Sequence, residues 1–307
     1  MIVGAPSWRN DDQIPVGSAF LYDLKTGELI EQFIAPNPRV ISRFGWSVAI
    51  SESACVVGSP WAFISNREKV GAAYVFDARN GDLLHSLTTP DATWNQRFGT
   101  DVDVSGELIG VSATFGEVGD DEPGNVKLFD LTSGQEVSEL NPSDGDDRDG
   151  FGVSFSMHGN RIVIGSYNAD TVLSGSGAAY VYDLQSFDEI AKIAAAEGQF
   201  GGWFGWPVAA NSYGAIGATY RYDGAEDFAG RAYFFNWAKV EAQCPGDCAP
   251  LLGNGVVNVD DVIAVINAFG TFGRCNEAPA TGPKIPEDDV VNIEDLMMVL
   301  RAIGECD

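Results

Sequence analysis

The oxygen donors best spaced to hold a metal ion lie near the C-terminus, in "GNGVVNVDDVIAVINAFG" from Gly253. Ca²⁺ takes about six to eight oxygens from carboxylates, amides, a backbone carbonyl and water, on a loop that turns tightly at a glycine and runs into a helix. With Gly255 as that glycine, Asn254 stands just before it and Val256 offers its carbonyl just after it. Asn258 and Asp261 fill the last two side-chain places, Asp261 as the bidentate carboxylate. Such a loop opens with Asp, yet counting back from the glycine reaches Pro250. The substitute is Asp247, and residues 248–253 must bulge for it to reach the ion. A second stretch repeats the pattern with Asp288, Val290, Asn292 and Asp295. There Asp289 replaces the turn glycine, and Asn276 or Glu277 must open the loop. The alternative for the whole segment is a disulfide-tied helix pair with no ion.

Two amphipathic helices must position these donors. Val259, Val262, Ile263 and Ile266 recur at helical spacing, as do Ile293, Leu296, Met297 and Leu300. Gly270 and Gly304 supply the stops. Cys244, Cys248, Cys275 and Cys306 share the segment, which suits an oxidising compartment and two disulfides, with three pairings open. Cys55 stands apart in an apolar run and reads as core.

Upstream the text follows a different beat. "GSAFLYD", "GAAYVFD", "GNVKLFD", "GAAYVYD" and "GRAYFFN" begin at Gly17, Gly71, Gly124, Gly177 and Gly230, spaced by 53 or 54 residues. "FGWSVAI", "FGTDVDV", "FGVSFSM" and "FGWPVAA" keep the same period at Phe44, Phe98, Phe151 and Phe204, and "VVGSP"-like runs fall between. Each unit holds short runs rich in Val, Ile, Tyr and Phe bounded by turn residues, as in "WSVAIS", "ACVVGSP", "AAYVFD" and "LLHSLTT". None is long enough for a three-turn helix. Four strands per unit in tandem predict a β-propeller, because one such sheet cannot bury both faces alone.

The "FG…VGSP…GAAYVFD" pattern resembles the FG-GAP repeat, the blade of integrin-α-type propellers, over residues 1–242, with units starting near 1, 44, 98, 151 and 204. The resemblance implies a mainly β fold. About five blades are visible where seven are usual, so upstream sequence carrying an export signal is expected to be missing; a five-bladed ring one strand short is the alternative. The duplicated loop and helix of residues 243–307, with its VVN-x-x-D motif, resembles the type I, EF-hand-like dockerin domain of secreted bacterial proteins. That likeness implies Ca²⁺ as cofactor and a cohesin-like or other cell-surface protein as partner. The partner would be met at the helix starts, Val259, Asp260, Ile293 and Glu294, which lack the Ser-Thr pair of the best-known type.

Charge narrows the partners. With 44 acidic and 18 basic residues the chain carries −26, which repels nucleic acid and anionic membranes. No apolar run reaches the length of a membrane span. Catalytic signatures are weak: His85 and His158 fall in different units, on an outer strand and at a hairpin turn, and no nucleophile elbow is present. The resemblance implies a calcium loop in many blades, but none is complete here: Asp11/Asp12 and Asp120/Asp121 are the best partial matches and read instead as solvated acidic loops, and "DGDDRDG" from Asp144 reads as turn chemistry. Trp46 and Trp206, each two residues past an FG phenylalanine, are expected to pack between blades. Trp8, Trp61, Trp94 and Trp203 sit in loops, where exposed rings would suit sugar or protein binding. The expectation is an extracellular or cell-surface, non-enzymatic binding, adhesion or scaffold protein whose propeller meets carbohydrate or an extracellular protein. The alternatives are a carbohydrate-active enzyme targeted by its tail, or a purely structural envelope protein.

Overall fold

The computed structural model describes residues 1–39, 41–64, 70–89, 96–114, 123–171, 173–195, 200–219 and 230–237. The chain divides into two compact units, Met1–Phe234 and Phe235–Asp307. The calcium loops with their ligands from Asp247 to Asp295, the partner positions Val259, Asp260, Ile293 and Glu294, and the four clustered cysteines lie outside the described residues, as do Trp94, Asp120 and Asp121.

Among the described residues every element is a strand, and the strands form five successive antiparallel meanders. The first holds β1 (Ile2–Ala5), β2 (Ser18–Tyr22) and β3 (Leu29–Phe33). The second holds β4 (Val48–Ile50), β5 (Ala54–Ser59), β6 (Ala72–Asp77) and β7 (Leu83–Leu87). The third runs through β8 (Val102–Ser105), β9 (Leu108–Ala113), β10 (Asn125–Asp130) and β11 (Glu136–Leu140). The fourth contains β12 (Phe151–His158), β13 (Arg161–Ser166), β14 (Ala178–Asp183) and β15 (Glu189–Ile193). β16 (Val208–Ala210), β17 (Gly214–Thr219) and β18 (Arg231–Asn236) make the fifth. The four strands expected per unit are thus present in the three middle sheets. The first sheet opens at a second-strand position, as its "VGAP" predicts.

Burial explains the strand text. β5 is buried at every residue, and so carries no charged side chain; its one hydroxyl, on Ser59, donates to Ser42 O at 2.8 Å. β7, at the outer edge, buries only Leu87 and can carry His85. The core lies between consecutive sheets. Leu21 and Phe33 of the first meet Val57 and Phe76 of the second, and Val56 and Val75 meet Ile109 and Val111 of the third. Leu128 and Leu140 meet Phe155, Ile164 and Tyr180 of the fourth. The first strands β4, β8, β12 and β16 are neighbours in succession.

The two sequence markers meet at the joints between sheets. Gly17, Gly71 and Gly177 each form a single parallel bridge with Phe44, Phe98 and Phe204 of the following unit. The Phe98 N–H donates to Val70 O at 3.0 Å, and Phe151 N–H to Pro123 O at 2.8 Å. All four FG phenylalanines are fully buried. Glycine is required at Gly71 on two counts: its φ is +92°, and a Cβ there would overlap the Phe98 main chain.

The outer hairpins follow a second rule. Asp77 and Asp130 each accept a main-chain N–H two or three residues on, at 2.7 Å, and their carbonyls accept the N–H of Gly81 and Gly134. In the fourth sheet Phe187 takes that glycine's place at φ 64° and packs against the core.

Candidate functional site

The residue before each FG adopts a left-handed backbone in all four units: φ is 59° at Arg43, 56° at Arg97, 70° at Gly150 and 55° at Trp203. A non-glycine residue is held there at a cost of about 1–2 kcal/mol. Three residues on, the chain has turned, with Trp46 N–H donating to Arg43 O at 3.0 Å and Thr100 N–H to Arg97 O at 3.1 Å. The glycine of each FG supplies the positive φ at the third place of the turn, 85° at Gly45 and 95° at Gly205. The phenylalanine and its glycine are buried, and Arg43 and Trp46, Arg97 and Thr100, and Trp203 and Trp206 flank them in three of the units with their side chains at least partly exposed.

Two aromatic clusters form at the FG-turn end of the sheets. The Arg43 guanidinium lies 4.5 Å from the Trp61 ring centre and 5.6 Å from that of Trp46. Tyr167 stands 5.9 Å from Trp203 and 5.6 Å from Trp206, ring centre to ring centre. Gly150 makes room for Tyr167, whose ring a Cβ at that position would strike. Trp46 is 49% exposed and Trp206 46%. The expectation that these two pack between sheets is therefore corrected. At this level the sheets meet through glycine backbone, Gly45 against Gly4 and Gly205 against Gly165, which leaves no slot for an indole. The loop tryptophans Trp8, Trp61 and Trp203 are instead half-buried.

A cleft of about 700 Å³ opens where the segment leaving β3 passes the second sheet, with Asn37, Arg39, Phe63, Tyr74, Ser86 and Thr88 in its wall. Arg39 lies 5.7 Å from the Phe63 ring centre. Burial raises the Tyr74 hydroxyl above its ordinary value. Arg39 and Phe63 also line a neighbouring hollow of about 470 Å³, beside Asn10 and Ile14.

Two carboxylates that sequence reasoning missed stand at the start of β8, Asp101 just before it and Asp103 within it. Asp101 accepts the Val102 N–H at 3.0 Å and, from the next sheet, the Phe155 N–H at 2.8 Å. Asp103 does the same with Val104 at 2.8 Å and Met157 at 2.7 Å. Burial pushes Asp101 up to about 7 against these hydrogen bonds, with Asp103 adding to the rise. Burial raises Asp103 as well. Ser47 and Ser154 hold the place of Asp101 in neighbouring units, and both also reach 52–54 residues ahead, to Gly99 O and Val208 N–H. The signal was the departure "FGTD" from "FGWS" and "FGVS".

The other expected sites resolve simply. Asp11 and Asp12 are exposed in a turn. Among the described residues no group of three or more His, Cys, Asp or Glu is placed to hold a metal ion. In "DGDDRDG", Asp149 accepts the Asp146 N–H at 2.9 Å, which is turn chemistry. Asp144 goes further and straps the turn to the fourth sheet through the Tyr180 hydroxyl at 2.8 Å and Lys192 Nζ at 2.7 Å. His85 is on outer strand β7 beside Leu131 O, at 3.0 Å, and His158 ends β12 at its hairpin. Cys55 is fully buried, and burial pushes its thiol up to about 11.

The model of the FG-GAP repeat family matches residues 31–76 and 135–182. FG-GAP repeats are therefore present at two positions, each running from an outer strand through the FG turn to the third strand of the next sheet. No curated protein matches the chain.

Proposed function

We propose that the chain is an exported, non-enzymatic binding protein. A β-propeller of FG-GAP blades presents the FG-turn end of its sheets to a ligand, and residues 243–307 form a dockerin-like tail that binds Ca²⁺ and docks on a cohesin-like or other cell-surface protein. The observation that carries the reading is the repeated left-handed station before FG. Backbone strain is retained where it serves a purpose, and here it sets Arg43 and Trp203 beside half-exposed Trp46 and Trp206. Exposed Trp, Tyr and Arg are the side chains that most often anchor binding. The succession of first strands and the face-to-face packing of consecutive sheets suit blades around an axis. The tail reading rests on the sequence pattern alone.

Two measurements test it. Calorimetric titration of the full chain with CaCl₂ is expected to give heat that Asp261→Ala reduces; no heat in the unaltered chain refutes the calcium tail. A panel of oligosaccharides and extracellular proteins is then passed over the immobilised chain and over a Trp46→Ala/Trp206→Ala variant. A ligand whose affinity falls at least tenfold in the folded variant supports the binding face, and ligands bound equally by both refute it.

A further inference from the structure

We infer that the cleft beside β6 and β7, which adjoins the FG-turn end at Ser42 and Ala62, is a second binding site, for an oligosaccharide containing uronic acid. The inference rests on the reading of the chain as a binding protein. The cleft's volume, about 700 Å³, lies within the range of small-ligand sites. Three kinds of group converge on it.

The first is an unspent cation. Arg39 is exposed and stands over Phe63, with no hydrogen-bond acceptor or carboxylate partner among the described residues. Lys25, Arg79 and Arg148 also lack such a partner among the described residues, and Arg39 alone of the four lines the cleft. The two well-placed lysines show the contrast: Lys127 is held by Glu136 and Glu139, and Lys192 by Asp144. A free guanidinium presents a planar fork that fits a carboxylate through two parallel hydrogen bonds. One such cation matches one negative charge. A polyphosphate would need several, and the surrounding field would repel it.

The second kind is aromatic. Phe63 and Tyr74 give the cleft flat apolar walls, against which the C–H face of a sugar ring can lie. The third is neutral and polar. The Asn37 amide and the Ser86 and Thr88 hydroxyls have no hydrogen-bond partner among the described residues, and all three line the same space. Tyr74 and Ser86 are direct cross-strand partners, so ring and hydroxyl are presented side by side. A ring, a single carboxylate and several hydroxyls on one ligand describe a uronic-acid sugar.

The probe is trigalacturonic acid, titrated calorimetrically into the full chain, with its carboxyl-reduced neutral analogue and a short poly-glutamate peptide as comparisons. The acidic sugar is expected to bind at least tenfold more tightly than either. Arg39→Gln should remove that preference while leaving the weak neutral binding in place, and Phe63→Ala should weaken both sugars. Equal binding of acidic and neutral sugars, stronger binding of the peptide, or no binding of the acid by the folded chain each overturns the inference. If the acidic sugar fails while another ligand is still lost with Trp46→Ala/Trp206→Ala, the cleft assignment falls and the FG-turn reading stands.

Discussion

Replacing Gly71 by alanine isolates what holds one sheet to the next, provided Gly27 is changed in parallel. Both glycines lie in the left-handed region, at φ +92° and +74°. At Gly27 an added Cβ meets nothing within 4 Å, so Gly27→Ala measures the backbone term alone, about 1 kcal/mol. At Gly71 the same Cβ would lie 2.8 Å from the Phe98 carbonyl carbon and closer still to its oxygen. The obstacle is main chain, so no rotamer change relieves it. The sheets must part, and the Phe98 N–H bond to Val70 O at 3.0 Å goes with the movement. Losing a buried main-chain bond costs about 1–3 kcal/mol, which brings the expected loss for Gly71→Ala to about 2–4 kcal/mol, centred on 3. A unit of this size shifts its midpoint by roughly 2–4 °C per kcal/mol. The two variants should then differ by about 4–8 °C in thermal unfolding followed by tryptophan fluorescence. Equal shifts would refute the claim that the FG joint depends on glycine for close approach.

Two further outcomes are expected. Asp101 sits at about 7, above its ordinary value, so its contribution to stability is full below the unfolded value and is lost as pH rises through 7. Asp101→Asn should therefore gain on the unaltered chain by about 2–3 kcal/mol between pH 5 and pH 8, at 1.36 kcal/mol per unit; a pH-independent difference in denaturant midpoints would contradict this. Cys55, with its thiol near 11, should resist alkylation at pH 8 in the folded chain and react once unfolded, read by mass spectrometry at that residue; labelling in the folded state would show that the second sheet is not closed over it.

Strand order was legible because it depends on local text. The "GAAYVFD" and FG markers fall where glycine conformation and a buried phenylalanine are needed, and every unit needs them. Orientation was not legible. Equivalent places in the period marked Trp46 and Trp206 as a pair, but the direction of their rings follows from the turn at Gly45 and Gly205 and from the glycine contacts behind them. Nothing in the local text marked Phe187 as the residue that would take a left-handed backbone and keep its ring on the core. Asp101 and Asp103 were hidden among 44 acidic residues, since their partners are main-chain N–H groups of another unit. The cleft at Arg39 brings together residues from four separated segments, a convergence that no local pattern encodes.

The FG joints meet through main-chain atoms, with glycine on one side and phenylalanine on the other each time, so they carry no address. Any unit's glycine could receive any other unit's FG, and a copied or deleted stretch of one whole period would rejoin with the same geometry. Such a chain can lengthen or shorten in steps without redesign of its couplings, but it also risks pairing units out of order while folding. The carboxylates at the start of β8 answer that risk at one boundary. There Asp101 and Asp103 accept the main-chain N–H groups of Phe155 and Met157, where Ser47 and Ser154 bridge neighbouring boundaries, so the third sheet's side of that joint is distinct while the fourth sheet's side is main chain. That boundary is where a permuted or recombined array would first be told apart from the native sequence of sheets.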